Sequence, residues 1–404
     1  MIATLSPEQQ FLVACARQTL SREPAGGEKL PEATSLDWDA AVDLAFREGL
    51  APIVYTGLQL SDLDVPVEAM DKLRIGYLGA VTRTEACLTP ALRCVLERLT
   101  SLGIKPIVLK GAALAYTVYP DTAHRTMADI DLLVDRDVVE AARSALQGMG
   151  FLSDGRTVEQ EHHIRPHYLP DWRLGVEIHR MLLPQPNPYA VDLEDCRSRC
   201  RVAEIAGVEA AILAPLDTLH FTCLHLAFVH RYRWYTLRSL VDLLAITTAW
   251  ARDLDWDLFL EVIDRSRTAG AVYWPLLLAR RWLEAPVPEN VLSSLAPSKA
   301  MGRLMADIAT PEYLLGDRVP EGRGSDVLYN LLLNLSLYQG CSPFRQAHAM
   351  LLGIFPTPDA VGHLPEEVAS SRLRYTTYIG NPARMARGLV AFGRMLCRHS
   401  NAQQ

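Results

Sequence analysis

No run in this 404-residue chain approaches the roughly 20 consecutive apolar residues that a membrane-spanning helix needs, so no membrane segment is expected. The opening Met1-Ile-Ala-Thr-Leu-Ser-Pro-Glu-Gln-Gln lacks a basic stretch followed by an apolar one. It does not read as a secretory leader. The eight cysteines are scattered and form no dense framework, which excludes a disulfide-stapled scaffold and predicts a reducing, cytoplasmic setting. Cys87 with Cys94, and Cys196 with Cys200, are the close pairs. Neither has a second pair at zinc-site spacing, so no zinc site is expected. Positive charge is not in excess: the formal net charge is −7. That argues against a broad nucleic-acid-binding surface and leaves a local basic patch open. Low-complexity tracts are also missing. What remains is globular in composition, 49% hydrophobic and 22% charged, and long enough for two or three domains.

The chain reads as three parts. Residues 6–20 predict a helix with Ser6 as N-cap and Pro7 at its first position. After a polar Gly/Pro/Glu segment over 21–34, Asp37-Trp38-Asp39 opens a second helix through Arg47 that ends at Gly49. Residues 67–101 carry helical periodicity, so 1–100 forms a helical N-terminal region. The texture changes at Gly103. Pro106-Ile107-Val108-Leu109 predicts a short buried strand, Lys110-Gly111 starts a helix, and Asp129 to Val134 predicts a second strand. Asp137 is the expected cap of a helix over 138–149, closed by Gly150. Runs over 162–169 and 173–181, split by Pro170-Asp171, predict a hairpin. Residues 101–207 thus form an α+β unit, a small mixed sheet with flanking helices, set between helical regions. From Pro215 the chain is helical again, through a long segment capped by Asp217 and ending near Trp250. The tetrapeptide Leu36-Asp-Trp-Asp recurs at Leu254, as the same helix-entry device used twice. Further helices with proline breaks complete a C-terminal domain over 208–404.

The chemistry concentrates in Arg125-Thr126-Met127-Ala128-Asp129-Ile130-Asp131-Leu132-Leu133-Val134. In a strand, residues i and i+2 share a face, so Asp129 and Asp131 converge while Ile130 turns into a core. Two adjacent carboxylates repel unless a cation joins them, and hard oxygen donors suit Mg²⁺, which takes substrate phosphates as further ligands. Glu177, in Gly175-Val176-Glu177-Ile178-His179, is a carboxylate on a strand that otherwise faces a core. It supplies a third carboxylate if its strand lies beside the aspartates, and otherwise faces water. His179 shares its face by the period of two. It either hydrogen-bonds behind the carboxylates or lies on the surface, and the surface reading is the simpler. Lys110-Gly111 can place backbone N–H groups, a helix N-terminus and a positive charge against a phosphate, or be a plain strand-to-helix turn. Arg125 can fork onto a phosphate, orient an aspartate, or sit solvated in a loop. His220, His225 and His230 are spaced by five, which spreads them around an α-helix, so no metal site is expected from them. Arg231, Arg233 and Arg238 interleave with Tyr232, Trp234 and Tyr235 and can stack on a nucleotide or an acceptor, or simply snorkel at a helix end. His162, His163 and His167 have no carboxylate or cysteine partner nearby in sequence. The basic run Arg384, Arg387, Arg394 and Arg398 reads as a solvated helix face.

The order of strand, Lys-Gly, helix, Arg-Thr-x-x-Asp-Ile-Asp-Leu, helix, then a strand with Val-Glu-Ile-His resembles the DNA polymerase β-like nucleotidyltransferase superfamily. It is more closely similar to the uncharacterised nucleotidyltransferase family, whose members carry Lys-Gly-Ala, an Arg-x-x-x-Asp-x-Asp block and Glu-x-His. The resemblance is strongest over 104–182. It extends more weakly through Leu224-His225, Leu240-Val241-Asp242 and Asp255-Trp256-Asp257. It implies a polymerase β-like catalytic unit and metal-dependent transfer of NMP from an NTP, with ATP expected, to an acceptor, releasing pyrophosphate. Asp129 and Asp131 would be metal ligands, with Glu177 third, as ligand or base. Two Mg²⁺ ions are implied, with Mn²⁺ as an alternative. Lys110, Gly111 and Arg125 would grip the triphosphate, and His179, His225 and Asp242 would line the cleft. The superfamily signature usually opens Gly-Ser or Gly-Gly, whereas here Lys110-Gly111 is followed by Ala112. The acceptor is open, with a small molecule or peptide expected over tRNA. Phosphoryl or pyrophosphoryl transfer at the same site, and a non-catalytic nucleotide-binding module, are the rival readings.

Overall fold

The helices begin where their capping residues place them. In the computed structural model, which describes residues 4–21, 36–153, 162–164, 166–170, 174–185, 187–232, 235–306, 310–315 and 333–341, helix α1 (Pro7–Ser21) opens on a reciprocal cap. The Gln9 N–H donates to Ser6 Oγ at 3.3 Å, and the Ser6 N–H donates back to Gln9 Oε1 at 2.9 Å, which satisfies two donors the helix leaves orphaned. Asp37 caps α2 (Trp38–Arg47) by accepting from the Ala40 N–H. Helix α3 (Ala51–Gln59) follows, then α4 (Val67–Arg83) and α5 (Thr89–Ser101). The predicted 67–101 helix is therefore continuous except for a π-helical turn, Thr84–Leu88. Pro90 explains it: proline has no N–H to return to the carbonyl of Ala86, so the ladder loosens just before it.

Close approach of α1 and α3 depends on Gly57. A Cβ there would lie 2.5 Å from the Cys15 carbonyl oxygen and 2.7 Å from its Cα, and backbone cannot swing away. Gly57→Ala is expected to cost about 1–3 kcal/mol, read as a lower urea midpoint. An unchanged midpoint would refute the contact.

The sheet has six strands in the order β3-β4-β2-β1-β6-β5. They are β1 (Ile107–Val108), β2 (Asp129–Leu133), β3 (His167–Leu169), β4 (Leu174–His179), β5 (Arg201–Ile205) and β6 (Val208–Ile212). Strand β2 pairs antiparallel with β1 and parallel with β4, and β1 pairs parallel with β6. The sheet is mixed, as the sequence predicts. The β5–β6 hairpin is an addition. It turns at Ala206 and Gly207, both at positive φ (54° and 79°), the backbone of a two-residue primed turn. Its alanine-rich strands lack the β-branched runs that mark the others. The sheet consequently runs past residue 207, to Ile212.

Alternation sorts the central strands onto two cores. Ile130, Leu132, Val176 and Ile178 face the main hydrophobic core. Leu133, with Ile107, Leu109 and Leu213, belongs to a smaller cluster with Cys196 and Phe221 on the other face. Asp129 and Asp131 share the face of Leu133 by the period of two, so the carboxylates stand on the side with the smaller apolar cluster. A one-residue slip would exchange the two sets.

Helix α6 (Lys110–Thr117) follows β1, and α7 (Val139–Gly148) follows β2. Asp137 does not cap α7. It lies inside a 3-10 turn, Arg136–Val138, that leads into the helix, while Gly150, at φ 89°, closes it as expected. Asp192 caps the short α8 (Leu193–Ser198). The expected single helix from 217 to 250 is two: α9 (Pro215–Leu224), continued by a π-helical turn His225–Val229, and α10 (Thr236–Ala249). Asp217 is not a cap either. It is buried and forks onto Arg199, with bonds of 2.8 and 2.9 Å, an internal tie between α9 and the start of β5. The repeated entry device is real. Asp255 caps α11 (Trp256–Ser266) as Asp37 caps α2, and each tryptophan meets a phenylalanine edge-on, Trp38 with Phe11 and Trp256 with Phe259. Helices α12 (Ala269–Leu283), α13 (Glu289–Leu295), α14 (Lys299–Ala306) and α15 (Pro311–Leu314) follow. The polar segment 22–34, Arg233, Trp234, and the basic run from Arg384 to Arg398 lie outside the described residues. No described helix is long and apolar enough to cross a membrane.

Candidate active site

Parallel pairing of β2 with β4 sets Asp129 opposite Gly175, Asp131 opposite Glu177 and Leu133 opposite His179. The condition on Glu177 is met: its strand lies beside the aspartates, and the three carboxylates share one face. They line one end of a cleft of about 330 Å³ between the sheet and α9–α10. Gly175, opposite Asp129, lies against the Tyr168 ring, where a Cβ would come within 3.1 Å of Cε1.

Charge in this corner is unevenly compensated. Burial opposes ionisation of Asp131, yet Lys110 and His179 hold its carboxyl well below the usual range. Lys110 Nζ and His179 Nε2 each lie 2.8 Å from its Oδ1. Asp129 has no such donor among the described residues. Burial, then Asp131 and Glu177, push its carboxyl up to about 6. One carboxylate is thus neutralised and its neighbour is left short of positive charge. The Lys110 ammonium already stands as a cation among these groups, its own pKa raised because Asp131, Glu177 and Asp129 outweigh burial. An all-oxygen set with a charge deficit is the chemistry that a hard divalent cation satisfies. Asp131 and Glu177 bring oxygens close enough to share such an ion, in a group that does not include Asp129.

His179 is not on the surface. It is wholly buried. Its ligand atom also lies with those of Asp131 and Glu177 within 4.8 Å, a geometry that could hold a metal. We favour the role of hydrogen-bond donor. Its Nδ1 is buried with no hydrogen-bond partner among the described residues. Burial and Lys110 oppose protonation of the imidazole, yet Asp131 and Glu177 raise its pKa above the usual value, which keeps a proton on Nε2 facing Asp131. With Nε2–H donating to Asp131, the imidazole orients that carboxylate.

Lys110 turns onto Asp131 rather than standing free over the cleft. It takes the left-handed conformation in the turn, φ 48°, a strained setting for a residue with a Cβ, so the unusual backbone belongs to the lysine and not to Gly111. Gly111 packs against the Arg125 guanidinium, where a Cβ would sit 3.5 Å from Nη1. The start of α6 has no side-chain cap, which leaves N–H donors beside the carboxylates. Arg125 orients an aspartate, but that aspartate is Asp242 of α10. Nε reaches Oδ1 at 2.6 Å and Nη2 reaches Oδ2 at 2.8 Å. Tyr119 Oη donates to the same carboxylate at 2.6 Å. This buried triad joins the loop before β2 to the helical wall, and the tyrosine carries no sequence signal that marks it.

His225 lines the opposite wall. Burial, with Lys110 nearby, keeps its pKa well below the usual value, so it is a neutral imidazole. Spacing by five does not separate His225 from His230. The π-helical turn carries an i→i+5 bond from His230 N to His225 O at 2.8 Å, which brings the two rings to 4.2 Å and sets both against the cleft. His220 stays in the core, bonded to Thr268. His162 and His163 also enter the cleft. His163 pairs across to His179 by an isolated bridge and lies 3.8 Å from Glu177. That partner is remote in sequence, which is why spacing alone does not reveal it. Arg238, half-buried on α10, completes the cleft.

Neither a curated protein nor a solved structure matches the chain. The model of one family, described as an uncharacterised nucleotidyltransferase, matches residues 34–284. That span takes in the helices from α2 to α12, the whole sheet and every cleft residue named above. With the mixed sheet, the Asp129–Asp131 pair and Glu177 in register, this chain belongs to the uncharacterised nucleotidyltransferase family.

Proposed function

We propose that the chain transfers NMP from an NTP, ATP being the first candidate, to a hydroxyl-bearing acceptor. The bond between the α-phosphorus and the bridging oxygen breaks, the acceptor oxygen bonds that phosphorus, and pyrophosphate leaves. The observation that carries this reading is the set of three carboxylates on one sheet face, in register, beside the uncapped start of α6. Asp129, Asp131 and Glu177 would hold divalent cations, Mg²⁺ or Mn²⁺ and two in number, which when bound supply neutralisation of the triphosphate and polarisation of the phosphorus. Glu177, the most open member of a pair whose other carboxylate is neutralised, accepts the acceptor proton. His179 and Lys110 fix the direction of Asp131. Arg125, aimed by Asp242, and the N–H groups of α6 face the phosphates. The walls of the cleft limit water. The proposed catalytic unit is residues 101–207 with strand β6 added.

A cleft of about 330 Å³ and a net charge of −7 favour a small molecule or peptide as acceptor over tRNA. Scattered cysteines, with no disulfide among the described residues, favour a cytoplasmic setting. Incubation with α- and γ-labelled ATP tests the reaction: label in the acceptor only from the α-position is expected. Transfer of γ-label would replace the reading with phosphoryl transfer. Absence of any Mg²⁺-dependent ATP binding by calorimetry would remove both.

A further inference from the structure

Three cations line the cleft among the described residues: Lys110, Arg125 and Arg238. Two are committed. Lys110 bonds Asp131, and Arg125 forks onto Asp242. Arg238 differs. Its guanidinium lies 3.8 Å over the Tyr235 ring and against the bare Cα of Gly49, where a Cβ would come within 3.0 Å of Nη1. Gly49 is itself left-handed, φ 67°, so glycine is required there twice over. Stacking and packing hold the guanidinium but do not neutralise it. Its Nε is buried without a partner, and no carboxylate among the described residues forms an ion pair with it. The nearby carboxylates are engaged elsewhere. Glu48 accepts from the main-chain N–H groups of Leu237 and Arg238, and Asp242 is taken by Arg125 and Tyr119.

Arg125 and Arg238 also converge. Both Nη1 atoms point to the Thr126 carbonyl oxygen, Arg125 at 2.6 Å and Arg238 at 3.5 Å. With Arg125 neutralised by Asp242, Arg238 leaves one positive charge in that part of the cleft without an ion pair among the described residues, and its Nη1 is only at the edge of bonding distance from a neutral oxygen. The carboxylate end is short of positive charge. A metal-bound triphosphate has the matching polarity.

The geometry points to an anion subsite formed by Arg238 beside Arg125, which takes the β,γ-diphosphate end of the NTP and holds pyrophosphate after transfer. It rests on the nucleotidyl-transfer reading and names the group that grips the leaving diphosphate where the sequence lacks a Gly-Ser turn. Arg238 acts by charge-assisted forked bonds to phosphate oxygens, and Tyr235 keeps its plane aimed into the cleft.

Calorimetry with inorganic pyrophosphate and the full chain, with EDTA present, tests the subsite apart from metal and catalysis. Wild type is expected to bind. Arg238→Met is expected to weaken binding about ten-fold or more, the scale of losing one charge-assisted contact, and Arg238→Lys to fall between, keeping the charge and losing the fork. In the labelled-ATP assay both variants should raise KM more than they lower kcat. Wild type that does not bind pyrophosphate, or Arg238→Met with unchanged pyrophosphate affinity, overturns the subsite while leaving nucleotidyl transfer standing. Should Arg238→Met fail to fold, Arg238→Lys decides: wild-type affinity and KM overturn the forked contact. Weakened pyrophosphate binding in the variants, with no α-label transferred by any form, supports the subsite and removes the nucleotidyl-transfer reading.

Discussion

Asp129→Asn is expected to abolish transfer and, in the absence of metal, to raise the melting temperature. The two effects have one cause. Asp129 sits beside Asp131 and Glu177 with no hydrogen-bonding cation among the described residues, and its carboxyl is pushed up to about 6. A carboxylate whose folded pKa lies above its unfolded value of about 3.9 opposes folding once both states are ionised. That cost is absent below about pH 4, grows as pH rises to about 6, and then stays constant. At pH 7.5 it amounts to about 2 kcal/mol, after allowing for partial solvent screening of a half-buried group. Asparagine keeps the shape, removes the charge and offers a poor cation ligand. Melting in EDTA at pH 7.5 should therefore favour the variant, and at pH 4 the two proteins should melt together. Added Mg²⁺ should stabilise wild type and leave Asp129→Asn unmoved. A destabilised Asp129→Asn, or one that still transfers label, would sink the assignment.

Asp131→Asn makes the contrast. It also removes a carboxylate, but it strands Lys110 and His179, which both bond that group at 2.8 Å. Breaking one side of a buried charge cluster destabilises, so lost activity there is expected to arrive with a lower melting temperature. Opposite signs of stability change for two adjacent aspartates distinguish a site that a bound cation would complete from one whose charges are internally paired.

The second large effect is structural. Asp242→Ala leaves the Arg125 guanidinium and the Tyr119 hydroxyl buried without their shared acceptor. A loss of about 3–5 kcal/mol is expected, measured by urea unfolding. Replacing both partners, Arg125→Met with Asp242→Leu, should recover much of it, because the cost lies in the stranded charge and not in the pair itself. A loss below about 1 kcal/mol for Asp242→Ala, within reach of an ordinary surface pair, would show that water reaches the triad. The double variant should remain inactive, since Arg125 faces the same cleft that the phosphates are proposed to enter.

Much of the site was legible because its signals are local. Asp129 and Asp131 need only the two-residue period of a strand to converge, and Ile130 and Leu132 identify which face is buried. Ser6, Asp37 and Asp255 mark helix starts because a cap bonds N–H groups two or three residues away. The failures were of another kind. Asp137 and Asp217 have the composition of caps, but one falls in a preceding 3-10 turn and the other is drawn into the protein by Arg199. His225 and His230 look dispersed under α-helical geometry and become neighbours only because the chain takes a π-helical turn there. His179 looks like a surface residue until β2 provides Asp131 beside it.

From the sequence alone came the pair of carboxylates, their shared face, the helix entries and the family resemblance, all of which depend on periodicity or on contacts a few residues long. Tertiary structure alone decided that Glu177 stands opposite Asp131, that Arg125 is paired with Asp242, and that Arg238 remains with stacking but no ion pair among the described residues. Those outcomes depend on which strand and which helix the sheet face buries against. Burial of apolar area over the whole molecule settles that choice, and no short window of residues contains it.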